Sequence, residues 1–186
     1  MTPPSIGELR SRPALEHLDL VAAPVAAALQ AWAAADPVTA GAVGVVEIDP
    51  ALADTATLME AYPDLLPEMS FNCVLVAGRR DGEERVAACV VRADTRADVN
   101  GLVKRSLDVR KCSFLPRERA TAESGMEHGG ITPVGLPGAW RVLVDERART
   151  APVAVIGSGL RRSKLLLPGS SLVAVPGAEV VADLGR

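Results

Sequence analysis

Two β-rich runs, Phe71 to Ala77 (FNCVLVA) and Arg85 to Val91 (RVAACVV), flank the segment GRRDGEE, and no other feature of the 186-residue chain constrains its fold as strongly. Asp81-Gly82 supplies the positive φ angles of a chain reversal, so the two runs read as a β-hairpin. Further strands are expected at Ala42 to Ile48, Lys111 to Leu115, Trp140 to Val144, Pro152 to Ile156, Lys164 to Leu167 and Glu179 to Ala182. Helices fall between them. From Pro24, a good first-turn residue, Val25, Leu29 and Trp32 recur at helical spacing until Asp36-Pro37. Asp49-Pro50 opens a second helix through Met59, and Pro63 and Pro67 then enforce a loop. Thr95 is placed to cap a helix with Val99, Leu102, Val103 and Leu107 on one face. Pro116 starts a short helix, and a turn or helix follows Pro168. Residues 1–23, with Pro3, Pro4 and Pro13, read as a loosely tied arm or a short helix. This order lacks a strict βαβ rhythm and predicts a mixed α/β (α+β) single domain, residues 1–186, around a largely antiparallel sheet flanked by helices.

Composition narrows the function classes. The net charge of −3 excludes the long-range positive field of a tight non-specific nucleic-acid binder, and 3% aromatics removes a stacking platform for single strands. A local basic face at Lys104, Arg105, Arg110 and Lys111 stays open. Cys73, Cys89 and Cys112 are too scattered for a disulfide framework, and two lie in apolar runs, which fits a reducing cytoplasm. His17 and His128 are the only histidines, and no Cys or His pair has zinc spacing, so no metal and no cofactor are expected. Val21 to Ala35 is shorter than the roughly 20 residues of a membrane span, and Glu16, His17 and Asp19 spoil a secretory signal.

Chemistry is concentrated in Thr121 to Pro137 (TAESGMEHGGITPVGLP). Gly129-Gly130 permits close backbone approach to a ligand, Pro133 and Pro137 fix the course of the loop, and its exposed N–H groups suit an anion or a developing oxyanion. A structural crossover loop is the competing reading. Gly157-Ser158-Gly159 fails the dinucleotide fingerprint because Arg162 takes the third glycine position, and Ser158 lacks the spacing of a hydrolase elbow.

The run Ser124 to Pro133 (SGMEHGGITP) resembles the signature of the YbaK/ProX-type aminoacyl-tRNA editing domain, related to the insertion domain of bacterial prolyl-tRNA synthetases. The resemblance continues in WRVLVDE (Trp140 to Glu146), in VIGSGLRRSKLLLPGSSL and, upstream, in FNCVLVAGRRDGEERVAACVV, so that it spans Met69 to Leu184. It implies a barrel-like mixed sheet and hydrolysis of the ester joining a wrong amino acid to the terminal adenosine of tRNA. Gly129 to Pro133 would hold the adenosine end, with His128, Gly129, Gly130, Ile131, Thr132, Pro133, Gly157, Ser158 and Gly159 as the substrate-binding set. In this family a water, helped by the ribose hydroxyl, is thought to attack the carbonyl, which needs neither a catalytic histidine nor a metal. The implied partner is a tRNA acceptor end carrying an amino acid. The protein would act in trans, since the chain shows no synthetase catalytic domain, as a monomer or weak dimer open to association with a synthetase.

One departure stands out. The family usually carries a lysine at the start of the first hairpin strand, and the matching residue here is Asn72. Lys164 opens an apolar strand where the related pattern tends to place an acid, so it is the candidate to supply the missing charge from the opposite wall. Lys164, Asn72 and Gly130 therefore form the catalytic set. A solvent-exposed strand-edge lysine is the competing reading, and with it a non-catalytic module that binds the tRNA end after losing hydrolysis.

Overall fold

The computed structural model describes residues 2–186. In chain order it contains β1 (Arg12–Pro13), α1 (Ala23–Ala35), α2 (Pro37–Ala40), β2 (Gly44–Glu47), α3 (Thr55–Ala61), β3 (Phe71–Arg80), β4 (Glu83–Arg92), α4 (Lys104–Ser106), β5 (Cys112–Phe114), α5 (Arg117–Ser124), β6 (Arg141–Asp145), β7 (Ala154–Gly157), β8 (Ser163–Leu167), α6 (Gly169–Leu172) and β9 (Ala178–Val181). Single 3₁₀ turns connect several of these. Among the described residues no helix is long and apolar enough to cross a membrane.

The β3–β4 hairpin pairs in register from Phe71–Arg92 to Arg80–Glu83 and turns at Asp81 and Gly82, both at positive φ. Ala87, Cys89 and Val91 of β4 join one apolar cluster, and Val86, Ala88 and Val90 join two others behind them. Burial on both faces explains why this strand is a continuous apolar run rather than an alternating one.

The expected barrel-like sheet is instead two open sheets. One runs β1-β2-β8-β7 and is antiparallel throughout; the other runs β5-β3-β4-β6-β9, with β4–β6 and β6–β9 parallel. The parallel pairs arise because long excursions separate β4, β6 and β9, as a parallel crossover demands. Val25, Leu29 and Trp32 of α1, Val45 of β2, Val144 of β6, Ile156 of β7 and Leu165 of β8 share the main core.

Three local expectations change. The N-terminal arm is tied down rather than loose: Arg12 pairs with Val45, and Ile6, Leu9, Ala14 and Leu20 are buried. The helix expected from Asp49 to Met59 breaks into a 3₁₀ turn, Pro50–Leu52, and α3, with Asp54 extended between them at φ −76° and ψ 137°. The cap expected of Thr95 is supplied by Asp98, whose carboxylate accepts from Gly101 N (3.1 Å) and Leu102 N (2.9 Å) at the head of a π-helical turn, Val99–Val103. Thr95 Oγ1 donates instead to the Arg92 carbonyl.

The acidic end of WRVLVDE has a structural task. Asp145 is fully buried and accepts from Arg147 N (2.9 Å), Arg147 Nε (2.9 Å) and Gly185 N (2.7 Å), pinning the C-terminal segment to β6. Asp145→Ala leaves those donors unpaired and is expected to lower unfolding free energy by about 2–3 kcal/mol, read from urea titration. A change within 0.5 kcal/mol would show that water replaces the carboxylate there at no cost.

Candidate functional site

The two sheets meet at one corner. Ser70, just before β3, bridges in parallel to Val155 of β7, whereas β5 covers the outer edge of β3 only from Val76 to Gly78. Between these contacts opens a cleft of about 380 Å³. One wall is β3, with Asn72, Cys73 and Leu75; the other is β7 and β8, with Ile156, Gly157 and Lys164. Residues 53–55, Phe114, Leu115, Arg117 and the loop His128, Gly129 and Ile131 close the rim.

Lys164 does not sit in solvent. Its side chain is 6% exposed, and Nζ donates to the Ala53 carbonyl at 2.6 Å. The break between the Pro50–Leu52 turn and α3 makes this bond available: in a continuous helix the Ala53 carbonyl would accept a backbone N–H four residues on. Burial brings the Lys164 ammonium down to about 8, Asp54 opposes that shift and Arg161 adds to it. At neutral pH the group remains mostly protonated, a cation in a sparsely hydrated wall. Across the cleft, Asn72 Oδ1 accepts from Thr55 Oγ1 at 2.7 Å. Segment 53–55 thus ties both walls. Burial pushes the Cys73 thiol up, so it serves as a small apolar lining group and not as a thiolate nucleophile.

The glycine loop is held by backbone bonds. Glu127 N donates to the Gly159 carbonyl (2.8 Å), Gly159 N to the Gly130 carbonyl (2.7 Å) and Gly130 N to the Glu127 carbonyl (2.9 Å). A methyl at Gly130 would meet the backbone of Leu160 at 2.7 Å, and one at Gly157 would meet the carbonyl oxygens of Gly130 and Ile131. Gly129 has φ +85°. Arg161 staples the loop to segment 50–54: its guanidinium donates to the carbonyls of His128 (3.2 Å) and Pro50 (3.0 Å) and lies 3.7 Å from Asp54 Oδ1, while its N–H donates to Glu127 Oε2 (2.6 Å).

Of the residues singled out in the sequence, Lys164, Asn72, His128, Gly129, Ile131 and Gly157 line the cleft. The others lie behind it. Gly130 is buried against Leu160, Pro133 is buried, and Gly159 packs against Ala22 and Val25. Ser158 is fully buried, its Oγ 2.7 Å from Ser163 Oγ, and it secures the β7–β8 turn. Thr132 is also fully buried, and its Oγ1 has no hydrogen-bond partner among the described residues. Lys104, Arg105, Arg110 and Lys111 line no part of the cleft. Ala53, Asp54, Thr55 and Arg117 do, and sequence reasoning missed all four. The available signal was Asp54-Thr55, an N-cap pair interrupting the helical pattern.

The sequence model of a family described as the aminoacyl-tRNA editing domain matches residues 49–174. No curated protein matches the chain. Among solved structures, a protein described as a candidate trans-editing enzyme for prolyl tRNA synthetase superposes with a TM-score of 0.67 at 19% identity, covering 86% of this chain and 97% of that one. Hypothetical protein APE2540 gives a TM-score of 0.70 at 19% identity over 86% of this chain and 99% of its own. A scaffold protein for presentation of linear epitopes gives 0.67 at 22% identity, over 88% and 98%. These likenesses carry the fold.

The buried ammonium generates a pH test. Lys164 holds its proton to about 8 in the folded chain and to its ordinary 10.5 when unfolded, so between those values only the unfolded chain binds the proton and stability rises with pH. Below pH 8 both states are protonated and the penalty is constant. The stability of wild type minus that of Lys164→Met is expected to grow by roughly 3 kcal/mol across this window, by urea titration at stepped pH. A difference that stays flat with pH would mean that the amine is as well solvated in the fold as outside it.

Proposed function

Because the chain belongs to the aminoacyl-tRNA editing domain family, we propose that it hydrolyses the ester of misacylated tRNA in trans, with editing of the prolyl type. The observation that carries this reading is the protonated Lys164 buried in a cleft whose opposite wall holds Asn72 where a lysine is usual. The candidate trans-editing enzyme for prolyl tRNA synthetase, almost all of which is covered by the same fold, supports the trans and prolyl assignments.

The reaction assigns each group a task. The terminal aminoacyl-adenosine lies along Gly129 and Ile131, where backbone amides and a close approach are available. A water oxygen adds to the ester carbonyl as the carbonyl π electrons move onto oxygen. The intermediate then collapses, the ester C–O bond breaks, and the ribose oxygen takes the proton, releasing the amino acid and the tRNA. The neighbouring ribose hydroxyl orients the water. Lys164 stabilises the negative charge that develops on the carbonyl oxygen, an interaction strongest where water is excluded. Asn72, oriented by Thr55, contributes a neutral amide to the same cleft. A second ammonium there would repel the first and lower its proton affinity.

Deacylation of a panel of correctly and incorrectly charged tRNAs tests the reading. Wild type is expected to clear at least one mischarged species, and Lys164→Met to do so ten-fold more slowly or worse, about 1.4 kcal/mol of transition-state stabilisation. Since the ammonium is the active form, background-corrected kcat/KM is expected to fall as pH rises through about 8. A rate that climbs through that pH would make the neutral amine a base. Binding of charged tRNA without clearance of any member of the panel favours the non-catalytic module.

A further inference from the structure

A second, more open groove adjoins the cleft, with Arg117, Glu127, His128, Arg161 and Arg162 along it. Arg117 and His128 line both depressions, so the groove continues directly from the mouth of the cleft. Its charge is unlike that of the chain as a whole. Three guanidiniums face one carboxylate, Glu127, and that carboxylate already accepts the Arg161 N–H at 2.6 Å. Arg161 lies beside Asp54 and is spent on loop carbonyls. Arg117 and Arg162 are both exposed and join no ion pair among the described residues, whereas most other arginines do. Arg162 is held in place without being neutralised, because its Nη2 donates to the uncharged Asp19 carbonyl at 2.6 Å.

We propose that this groove binds the sugar–phosphate backbone of the nucleotides immediately 5′ of the aminoacylated adenosine, with Arg117 and Arg162 as phosphate ligands. The inference rests on the deacylase reading, since it takes the terminal nucleoside to occupy the cleft. An ester seated there leaves the rest of the strand only the mouth as an exit, and Arg117 and His128 stand at that exit. A planar guanidinium matches two phosphate oxygens at once, and unpaired guanidiniums give up no internal ion pair on binding. The groove therefore supplies affinity for the polyanion, while the cleft supplies the chemistry.

The test compares two substrates carrying the same wrong amino acid: the tRNA, and the aminoacyl-adenosine without phosphate. Arg162→Gln is expected to lower kcat/KM on the tRNA at least five-fold, mainly through KM, and to reduce it far less on the nucleoside. Arg162→Lys is expected to recover only part of the loss, because an ammonium restores the charge but not the two-oxygen match. The salt dependence of log KM on the tRNA is expected to become shallower by about 0.7 in Arg162→Gln, the value of one single-strand phosphate contact. Equal losses on both substrates, or none on the tRNA, would overturn the proposal. Affinity for an uncharged RNA hairpin with a single-stranded 3′ end separates this inference from the activity. If wild type cleaves neither substrate but Arg162→Gln weakens hairpin binding, the deacylase reading fails and the groove stands. If both proteins bind the hairpin alike, the groove fails. Inorganic phosphate added at constant ionic strength is expected not to compete; competition at equal concentration would instead mark a free-phosphate site.

Discussion

The close approach of two backbones, Glu127 to Ile131 against Gly157 to Leu160, is the contact on which the cleft depends. It occurs where the chain leaves β7, an edge strand of its sheet: Val155 of that edge bridges to Ser70, and two residues past the strand Gly159 exchanges backbone bonds with Glu127 and Gly130 of the loop. No side chain fits between, since a Cβ at Gly130 or Gly157 would overlap peptide atoms of the other segment. Loop position is therefore set by hydrogen bonds and peptide contact, which leave little play, and Arg161 fastens the far side to Pro50 and His128. A loop without regular structure can in this way form a defined rim. Glycine at position 130 serves packing behind the site, whereas Gly129 and Gly157 border the space itself.

Segment 53–55 balances the electrostatics across the cleft. Its carbonyl at Ala53 takes the Lys164 ammonium, its hydroxyl at Thr55 takes Asn72, and Asp54 between them offsets part of the burial of the lysine. A buried ammonium with one good hydrogen bond is under-compensated, as its lowered proton affinity shows. Such a group destabilises the fold at neutral pH and is retained where its field has a use. The break before α3 belongs to the same arrangement: a few residues of regular helix are given up for one correctly aimed carbonyl.

Much of this was legible in the residues, and the limits have physical reasons. The hairpin, α1 and the strands from Trp140 onward follow from alternation, turn chemistry and proline placement, all of which act locally. The helix break at Asp54 had a local signal in Asp54-Thr55, but its use was not local: the Ala53 carbonyl it leaves free accepts from Lys164, 111 residues away in sequence and adjacent only after folding. The two-sheet arrangement escaped for a similar reason, since apolar runs show which strands are buried and not which edges pair. Within the site, glycine content drew attention to a loop that borders the cleft, whereas Gly130, Ser158 and Gly159 lie behind its lining. Gly130 and Gly159 spend their backbone groups on each other and on Glu127, the Ser158 hydroxyl is used on Ser163, and small residues packed behind a wall look identical in sequence to small residues facing a ligand.

Net charge was the least informative quantity of all. The value of −3 averages over pairs that cancel locally: Arg119 with Glu84 and Glu123, Arg141 with Glu179, Arg12 with Glu47, Arg186 with Asp98. At physiological ionic strength exposed charges act over roughly 8 Å, so a phosphate near the cleft feels only the groups beside it. Lys104, Arg105, Arg110 and Lys111 form a visible basic cluster in the sequence and line neither depression. Arg117 and Arg162 stand 45 positions apart, attract no notice as a pair, and yet share the groove that leads from the mouth. An acidic chain can thus present a cationic track to an acidic strand, because what the strand meets is the unpaired remainder after internal ion pairs are made, and that remainder is a property of the fold.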